Sequence, residues 1–241
     1  MMNCTALLPT RANAPIPTPR KCCATRMPFG EVIYTPPEGE GIIRDKLANL
    51  ERFIYDDSDL DPLIKLGVMH YQFEAIHPFT DGNGRTGRII NILYLVEVGL
   101  LDIPVLYLSR YIIDHKSAYY AGLKQITRDH DWEPWIIYML DAIAQTARIT
   151  RERILGIRNL MRDGIEQVKQ QLPKVYSKDL LELLFRQPYC KIRFLEEVGI
   201  AQRKTASQYL RELERIGMLT PVKAGREVYY LNTALLKLLV S

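Results

Sequence analysis

Between His77 and Arg88 the sequence reads His-Pro-Phe-Thr-Asp-Gly-Asn-Gly-Arg-Thr-Gly-Arg, which places an imidazole, a carboxylate, a carboxamide, three glycines and two guanidinium groups within 12 residues. Gly82, Gly84 and Gly87 let backbone N–H groups approach a ligand closely. A helix beginning near Gly84 or Arg85 would turn its unpaired first-turn N–H groups and its positive dipole end into the same loop. The stretch therefore has the composition of an anion cradle. Arg85 and Arg88, three residues apart on that first turn, can reach the same side and hold phosphate oxygens through paired, charge-assisted hydrogen bonds, which suits a polyphosphate better than a lone carboxylate. Asp81 offers hard carboxylate oxygen beside such phosphates, the usual way a protein holds Mg²⁺ on a nucleotide. His77 stands at the mouth of the cradle. An unperturbed imidazole titrates near roughly 6.5, so its neutral form can accept a proton from an incoming hydroxyl as general base. A surface loop can also carry Asp, Asn and Gly as turn formers and arginines as solvated charge. The strongly apolar segments on both sides argue against that blander reading.

Those flanking segments are helical by their spacing. Ile43, Leu47, Leu50 and Ile54 recur at i, i+4, i+7, i+11 and predict a first helix from Glu40 onward. Asp61-Pro62 is a cap followed by an N1 proline, and the helix it starts carries Leu63, Leu66, Met69 and Phe73 towards Ile76. Beyond the loop, Ile89 to Val98 is apolar on nearly every side and stops at Gly99, the pattern of a helix at the centre of a bundle. Further helices are predicted from Asp114 to Thr127 and from about Trp132. Ile136, Met139, Ile143, Ala147, Ile154, Ile157, Met161, Ile165, Val168 and Leu172 then keep close to a heptad repeat, which predicts one long helix, or two in line, over 132–172. That seam would also suit a homodimer.

Upstream, residues 1–30 contain Pro9, Pro15, Pro17, Pro19 and Pro28 and read as an irregular arm, while Glu31 to Thr35 has strand composition and stops at Pro36-Pro37, as the edge of a small hairpin would. Downstream of Pro173 the design changes. Short helices over 179–186, 191–198 and 202–216 precede segments 219–222 and 228–231 flanking Lys223-Ala224-Gly225-Arg226, the outline of a winged helix-turn-helix in 173–241. Residues 176–241 carry eleven Lys or Arg against seven Asp or Glu, the whole chain's excess of +4. Gln202, Arg203, Lys204, Thr205, Ser207, Gln208 and Arg211 would line a recognition helix suited to DNA, or the unit is a protein docking module.

With 47% hydrophobic and 25% charged residues in 241, the chain is ordinary for a globular protein. No apolar run spans a bilayer and no secretory core opens the sequence, which gives no membrane partner and a cytoplasmic expectation. Cys4, Cys22, Cys23 and Cys190 fit neither a zinc knuckle nor a disulfide framework.

The loop resembles the Fic family signature, H-P-F-x-[D/E]-G-N-G-R-x-x-R, at every fixed position. Tyr34-Thr35-Pro36-Pro37-Glu38-Gly39, Phe73-Glu74-Ala75-Ile76 and Tyr107-Leu108-Ser109-Arg110-Tyr111 also look like parts of bacterial Fic proteins with a C-terminal winged helix, so the likeness covers about residues 31–241. The resemblance implies a mainly α fold: a Fic-type helical bundle over 31–172 with a small β-hairpin flap, then the winged helix-turn-helix. It implies transfer of AMP from ATP to a Ser, Thr or Tyr hydroxyl of a target protein, with pyrophosphate released. His77 becomes the base and Asp81 the Mg²⁺ ligand. Asn83 with the Gly82 and Gly84 backbone forms the anion hole, and Arg85 and Arg88 hold the triphosphate. His115, Tyr119 and Tyr120 fall in a segment whose family counterpart lies near the adenine. The flap would receive the target segment as an added strand, and the chain itself is an accessible first target. A DNA-binding regulator that senses nucleotide, or a Fic fold transferring another phosphate-containing group, are the alternatives.

One departure stands out. Fic proteins of this layout carry a helix with the pattern [S/T]-x-x-x-E-[G/N], whose glutamate pairs with the second arginine and blocks the γ-phosphate. Residues 1–241 contain no such motif, which predicts deregulated activity, inhibition by a separate chain, or a truncated or misplaced start.

Overall fold

The computed structural model of the protein describes residues 25–26, 32–57 and 59–240. The chain divides into two compact units between Ala147 and Arg148.

In the first unit, β1 (Thr25–Arg26) pairs antiparallel with β2 (Val32–Tyr34), with Thr25 opposite Tyr34. The segment 1–30 read as irregular thus contributes a strand, and the expected strand is a hairpin with Thr25–Arg26 as its other edge; Glu31 lies outside the described residues. Tyr34 donates its phenol hydrogen to Ala75 O at 2.8 Å, which ties the hairpin to the end of α2.

Helices α1 (Glu40–Tyr55) and α2 (Pro62–Ile76) follow the predicted spacing. Ile43 and Leu50 are buried, and Asp61 Oδ1 caps α2 by accepting from Leu63 N at 2.8 Å. Leu66, Met69, Phe73 and Ile76 fill the core from α2, each such side chain contributing roughly 1.5–3 kcal/mol by leaving water. α3 (Asn83–Glu97) is less enclosed than its composition predicts: Ile89 is 55% and Leu93 56% exposed, so it lies at the rim and not at the centre of the bundle. The predicted helix over 114–127 is α5 (Lys116–Asp129); the short α4 (Leu108–Asp114) that precedes it, separated from it at His115, was not predicted.

α6 (Glu133–Gln171) is one helix of 39 residues. Trp135, Met139, Ala142 and Ile143 complete the first core, with Trp135 Nε1 donating to Gly67 O at 2.9 Å. The seam lapses in the middle, where Ala147 is exposed and Ile154 is 51% exposed. Val168 and Leu172 belong to the second core, which is why the division falls within α6 and not at Pro173.

The second unit continues with α7 (Lys178–Arg186), β3 (Tyr189–Cys190), α8 (Ile192–Glu197), α9 (Arg203–Arg215), β4 (Thr220–Ala224), β5 (Glu227–Leu231) and α10 (Thr233–Val240). The three strands pair in the order β3-β5-β4, antiparallel throughout. Leu180, Leu184, Leu195, Ala206, Leu210 and Leu213 form its interior. The sequence reading omitted β3, too short to show a period, and α10.

Candidate active site

α2 ends where His77 turns left-handed, at φ 49 and ψ 55, its N–H still donating to Phe73 O at 3.1 Å. Such a conformation costs a residue with a Cβ on the order of 1 kcal/mol or more and persists only where the surroundings impose it. Here Pro78 follows and cannot continue the helix, and the turn delivers the imidazole to the cavity described below.

The loop beyond is held by Asn83. Buried to 3% exposure, its Oδ1 accepts from Phe79 N at 2.9 Å and its Nδ2 donates to Phe79 O at 2.6 Å. The side chain implied to line the anion hole is therefore spent on clamping the loop, which leaves the Asn83 backbone N–H for a ligand. Gly82, at φ 86, is the N-cap of α3, and no side chain caps that end. The first-turn N–H groups of α3 therefore have no intrahelical acceptor, and the dipole favours an anion there.

A cavity of about 360 Å³ opens beside that helix end. His77, Gly84, Arg88 and Glu74 form its loop end; Lys116, Tyr119, Tyr120, Lys124 and Thr127 of α5 form one wall; Tyr34, Tyr71 and Ala75 lie towards the hairpin. The structure thus brings together five of the expected site residues: His77, Gly84, Arg88, Tyr119 and Tyr120. Arg88 donates Nε–H to Ser109 Oγ at 2.7 Å, which fixes the guanidinium at the cavity. Arg85 differs: 71% exposed, it pairs with Asp81 at 3.1 Å and is not part of the cavity wall. The two arginines do not converge on one side as their spacing predicts, because Asp81, four residues before Arg85, draws its head group outward.

Gly87 serves packing. A Cβ there would lie 2.9 Å from Glu74 Oε1, 3.1 Å from Phe73 Cδ1 and 3.3 Å from His70 Cε1, so the close crossing of α2 and α3 by itself requires the glycine. His115 also lies outside the cavity wall. Exposed, it stacks on Tyr111 at 4.1 Å with Nδ1 3.0 Å from Tyr111 O. Tyr119 is 5% exposed, and its hydroxyl meets His70 Nε2 at 3.0 Å, so it is a wall of the cavity anchored in the core.

Burial dominates the electrostatics beneath the site. It pushes Glu74 up to about 7, with Arg88 pulling the other way. Burial, then Arg88, holds His70 down at about 3. Burial, then Glu74, raises Tyr119 well above the usual phenol range. Glu74, Lys116 and Lys124 were missed in the sequence, although spacing could have found them: Glu74 is three residues before His77 on one helical face, and Lys116, Tyr120 and Lys124 follow at i, i+4, i+8.

No group of three or more His, Cys, Asp or Glu among the described residues forms a metal cage. Asp81, 90% exposed, accepts from Gly82 N at 2.7 Å and faces Arg85. Mg²⁺ on a nucleotide draws most of its ligands from phosphate and water, so a single accessible carboxylate beside an anion cradle fits that ion.

Residues 20–95 match the model of the Fic/DOC family, and residues 160–235 match that of the protein adenylyltransferase SoFic-like C-terminal domain. The protein adenylyltransferase fic-1 of Caenorhabditis elegans is 28% identical over 134 residues, 55% of this chain and 24% of that protein. A probable protein adenylyltransferase of Aquifex aeolicus (strain VF5) is 34% identical over 90 residues, 37% of this chain and 28% of that protein. The protein adenylyltransferase Fic of Drosophila melanogaster is 30% identical over 112 residues, 46% of this chain and 21% of that protein. A solved Fic family protein from Desulfovibrio desulfuricans G20 aligns with a TM-score of 0.45 at 22% identity, over 82% of this chain and 57% of that one. Along the chain, a likeness to the Fic/DOC family thus precedes a likeness to the SoFic-like C-terminal domain. It spans about a quarter of the length of the curated relatives it matches.

Proposed function

We propose that this chain is a protein adenylyltransferase that moves AMP from ATP to a hydroxyl of a protein. One observation carries the reading: His77, Gly84 and Arg88 line one cavity beside a helix end that no side chain caps. The acceptor oxygen attacks the α-phosphorus as the bond to pyrophosphate breaks, and His77 takes the acceptor's proton. The open N–H groups of α3 and the Arg88 guanidinium hold the phosphate chain, so catalysis is mainly positioning and charge neutralisation. Arg85 reaches the same chain only by leaving Asp81. Asp81 would hold Mg²⁺, whose chemistry is to neutralise charge on the phosphates. Tyr120 offers the base an aromatic face, and β2 offers an edge for an extended target segment. A cytoplasmic place, where ATP is plentiful, belongs to the same proposal.

ATP labelled at the α- or the γ-phosphate tests this. With Mg²⁺ and a host lysate, α-label is expected on protein, the chain itself being the first acceptor to inspect. His77→Ala is expected to lower labelling about 10²–10⁴-fold while ATP binding persists. Label from the γ-position alone would move the reading to another phosphate transfer.

A second reading concerns the C-terminal unit. Arg203, Lys204 and Arg211 of α9, and Lys223 and Arg226 at the β4–β5 turn, are exposed and outside the ion pairs formed by Glu197, Glu212 and Glu227. Unpaired cations on a helix and a hairpin support a winged helix-turn-helix that holds duplex DNA. Its affinity is expected to fall steeply between low and moderate salt; a salt-independent signal in fluorescence anisotropy would assign the unit to protein docking instead.

A further inference from the structure

The chemistry above leaves one buried acid of the cavity without a part. Glu74 lines the phosphate end. Its Oε1 is shielded from solvent and has no hydrogen-bond partner. A Cβ on Gly84 would lie 3.7 Å from that oxygen and 3.0 Å from Arg88 Nη1, so carboxyl and guanidinium border the same bare stretch of α3. Arg88 is held through Nε by Ser109, a bond that leaves its Nη groups unengaged by that contact.

A carboxylate without donors is costly to keep ionised in an interior. Burial accordingly raises Glu74 to about 7, so both forms are present near neutrality, and Arg88 is the charge that favours the ionised one. An anion arriving at Arg88 neutralises that support and adds a negative charge of its own. Both changes favour the protonated carboxyl.

We propose that Glu74 is a positioning residue that couples nucleotide binding to proton uptake: a phosphate chain engages Arg88 tightly when the Glu74 carboxyl is protonated, and competes with a rival negative charge when it is ionised. The inference rests on the reading of this cavity as the nucleotide site. Glu74 touches neither phosphorus nor acceptor and acts through Arg88; the proton comes from solvent.

The other groups facing this end are His70 and His77 from α2, Arg88 from α3, Lys116, Tyr119, Tyr120 and Lys124 from α5, and Tyr34 from β2. Burial keeps His70 neutral and holds Tyr34 and Tyr119 protonated over the working range. The sign follows from linkage. Below about pH 6 the free protein already carries the proton and binding takes up none; above about 7 it must acquire one, and affinity falls by up to about tenfold per pH unit until the bound form also ionises.

Calorimetric titration of the full chain with Mg·ATP at about pH 6 and about pH 8.5, in the unaltered protein and in Glu74→Gln, tests the coupling. Titration of the nucleotide is common to both proteins and cancels in their ratio. The unaltered protein is expected to lose about tenfold more affinity between the two pH values than Glu74→Gln, whose neutral carboxamide stands in for the protonated acid. An equal loss in both overturns the proposal. If the variant does not fold, the carboxyl ¹³C resonance of Glu74 in the unaltered protein decides: near neutral pH, Mg·ATP is expected to move it to the protonated position, and an unmoved resonance in a nucleotide-saturated protein overturns the coupling. No ATP binding by the unaltered protein at either pH would instead remove the nucleotide reading, and this inference with it.

Discussion

The interiors of the two units are built differently. In the first, Lys65, His70, Asn83, Asn91 and Thr146 are buried, and Glu74 Oε1, both amide atoms of Asn91 and the Tyr138 hydroxyl have no hydrogen-bond partner. In the second, Asn232 is the one buried polar side chain among the described residues, donating to Leu184 O at 3.5 Å and accepting from Leu235 N at 3.0 Å, and Arg153 Nε is the one unpartnered buried atom. Unsatisfied buried polar groups each cost about 1–3 kcal/mol. The first unit tolerates several of them where α2 and α3 cross beneath the cavity, which is where the proposed chemistry needs tuned protons. The second, with a mainly aliphatic interior, carries one such atom, Arg153 Nε, and is ordered mainly by packing.

Acid should separate the two most strongly. His70 is neutral and buried, with a folded value near 3 against roughly 6.5 unfolded. A depressed histidine contributes stability above its unfolded value that is lost as pH falls towards the folded one, here amounting to about 4 kcal/mol by about pH 3.5. Glu74, raised to about 7 in the same unit, works in the opposite direction between about pH 7 and about 4.5, so the His70 share is read by comparison with a His70 variant. Both tryptophans, Trp132 and Trp135, lie in the first unit, and Trp135 stacks on His70 at 6.0 Å, so their fluorescence during urea unfolding reports this loss. His70→Gln should shed the slope between about pH 6 and about pH 4 whatever its absolute stability; a slope unchanged by that substitution would break the comparison.

Truncation of the second interior comes next. Leu210, fully buried among Leu180, Leu184 and Leu195, should cost roughly 3 kcal/mol as Leu210→Ala, from lost transfer energy and the cavity left behind. Its cost should be the same at about pH 5 and about pH 7, since the interior around it holds no shifted carboxyl or imidazole. Circular dichroism through thermal unfolding at the two pH values measures it, and a cost that changed with pH would show that the second interior also depends on titrating groups.

Helix starts and the reactive loop were legible because they depend on neighbours in sequence. Asp61-Pro62 opens α2 by local hydrogen bonding and a fixed φ, and the loop from His77 to Arg88 concentrates residue types that few structural needs explain. The short helix α4, the strand at Thr25–Arg26 and the exposure of Ile89 and Leu93 were not legible. Each depends on what packs opposite, and an apolar side chain carries no mark of whether a partner arrives. Gly87 shows the same limit within the motif, since only the nearness of Glu74 and His70 identifies it as a contact point between helices.

The sequence by itself determined which groups are available: an imidazole, two guanidinium groups, a carboxylate, and glycines that free a helix end, all within reach along a short stretch of chain. Tertiary structure decided which of them share a cavity, sending Arg88 inward to Ser109 and Arg85 outward to Asp81. It also enclosed Glu74 and His70, residues with ordinary titration in an unfolded chain, in an interior that moves both towards their neutral forms. The physical reason is that reactivity is inherited from the side chain, whereas desolvation and charge pairing belong to the surroundings that only folding assembles.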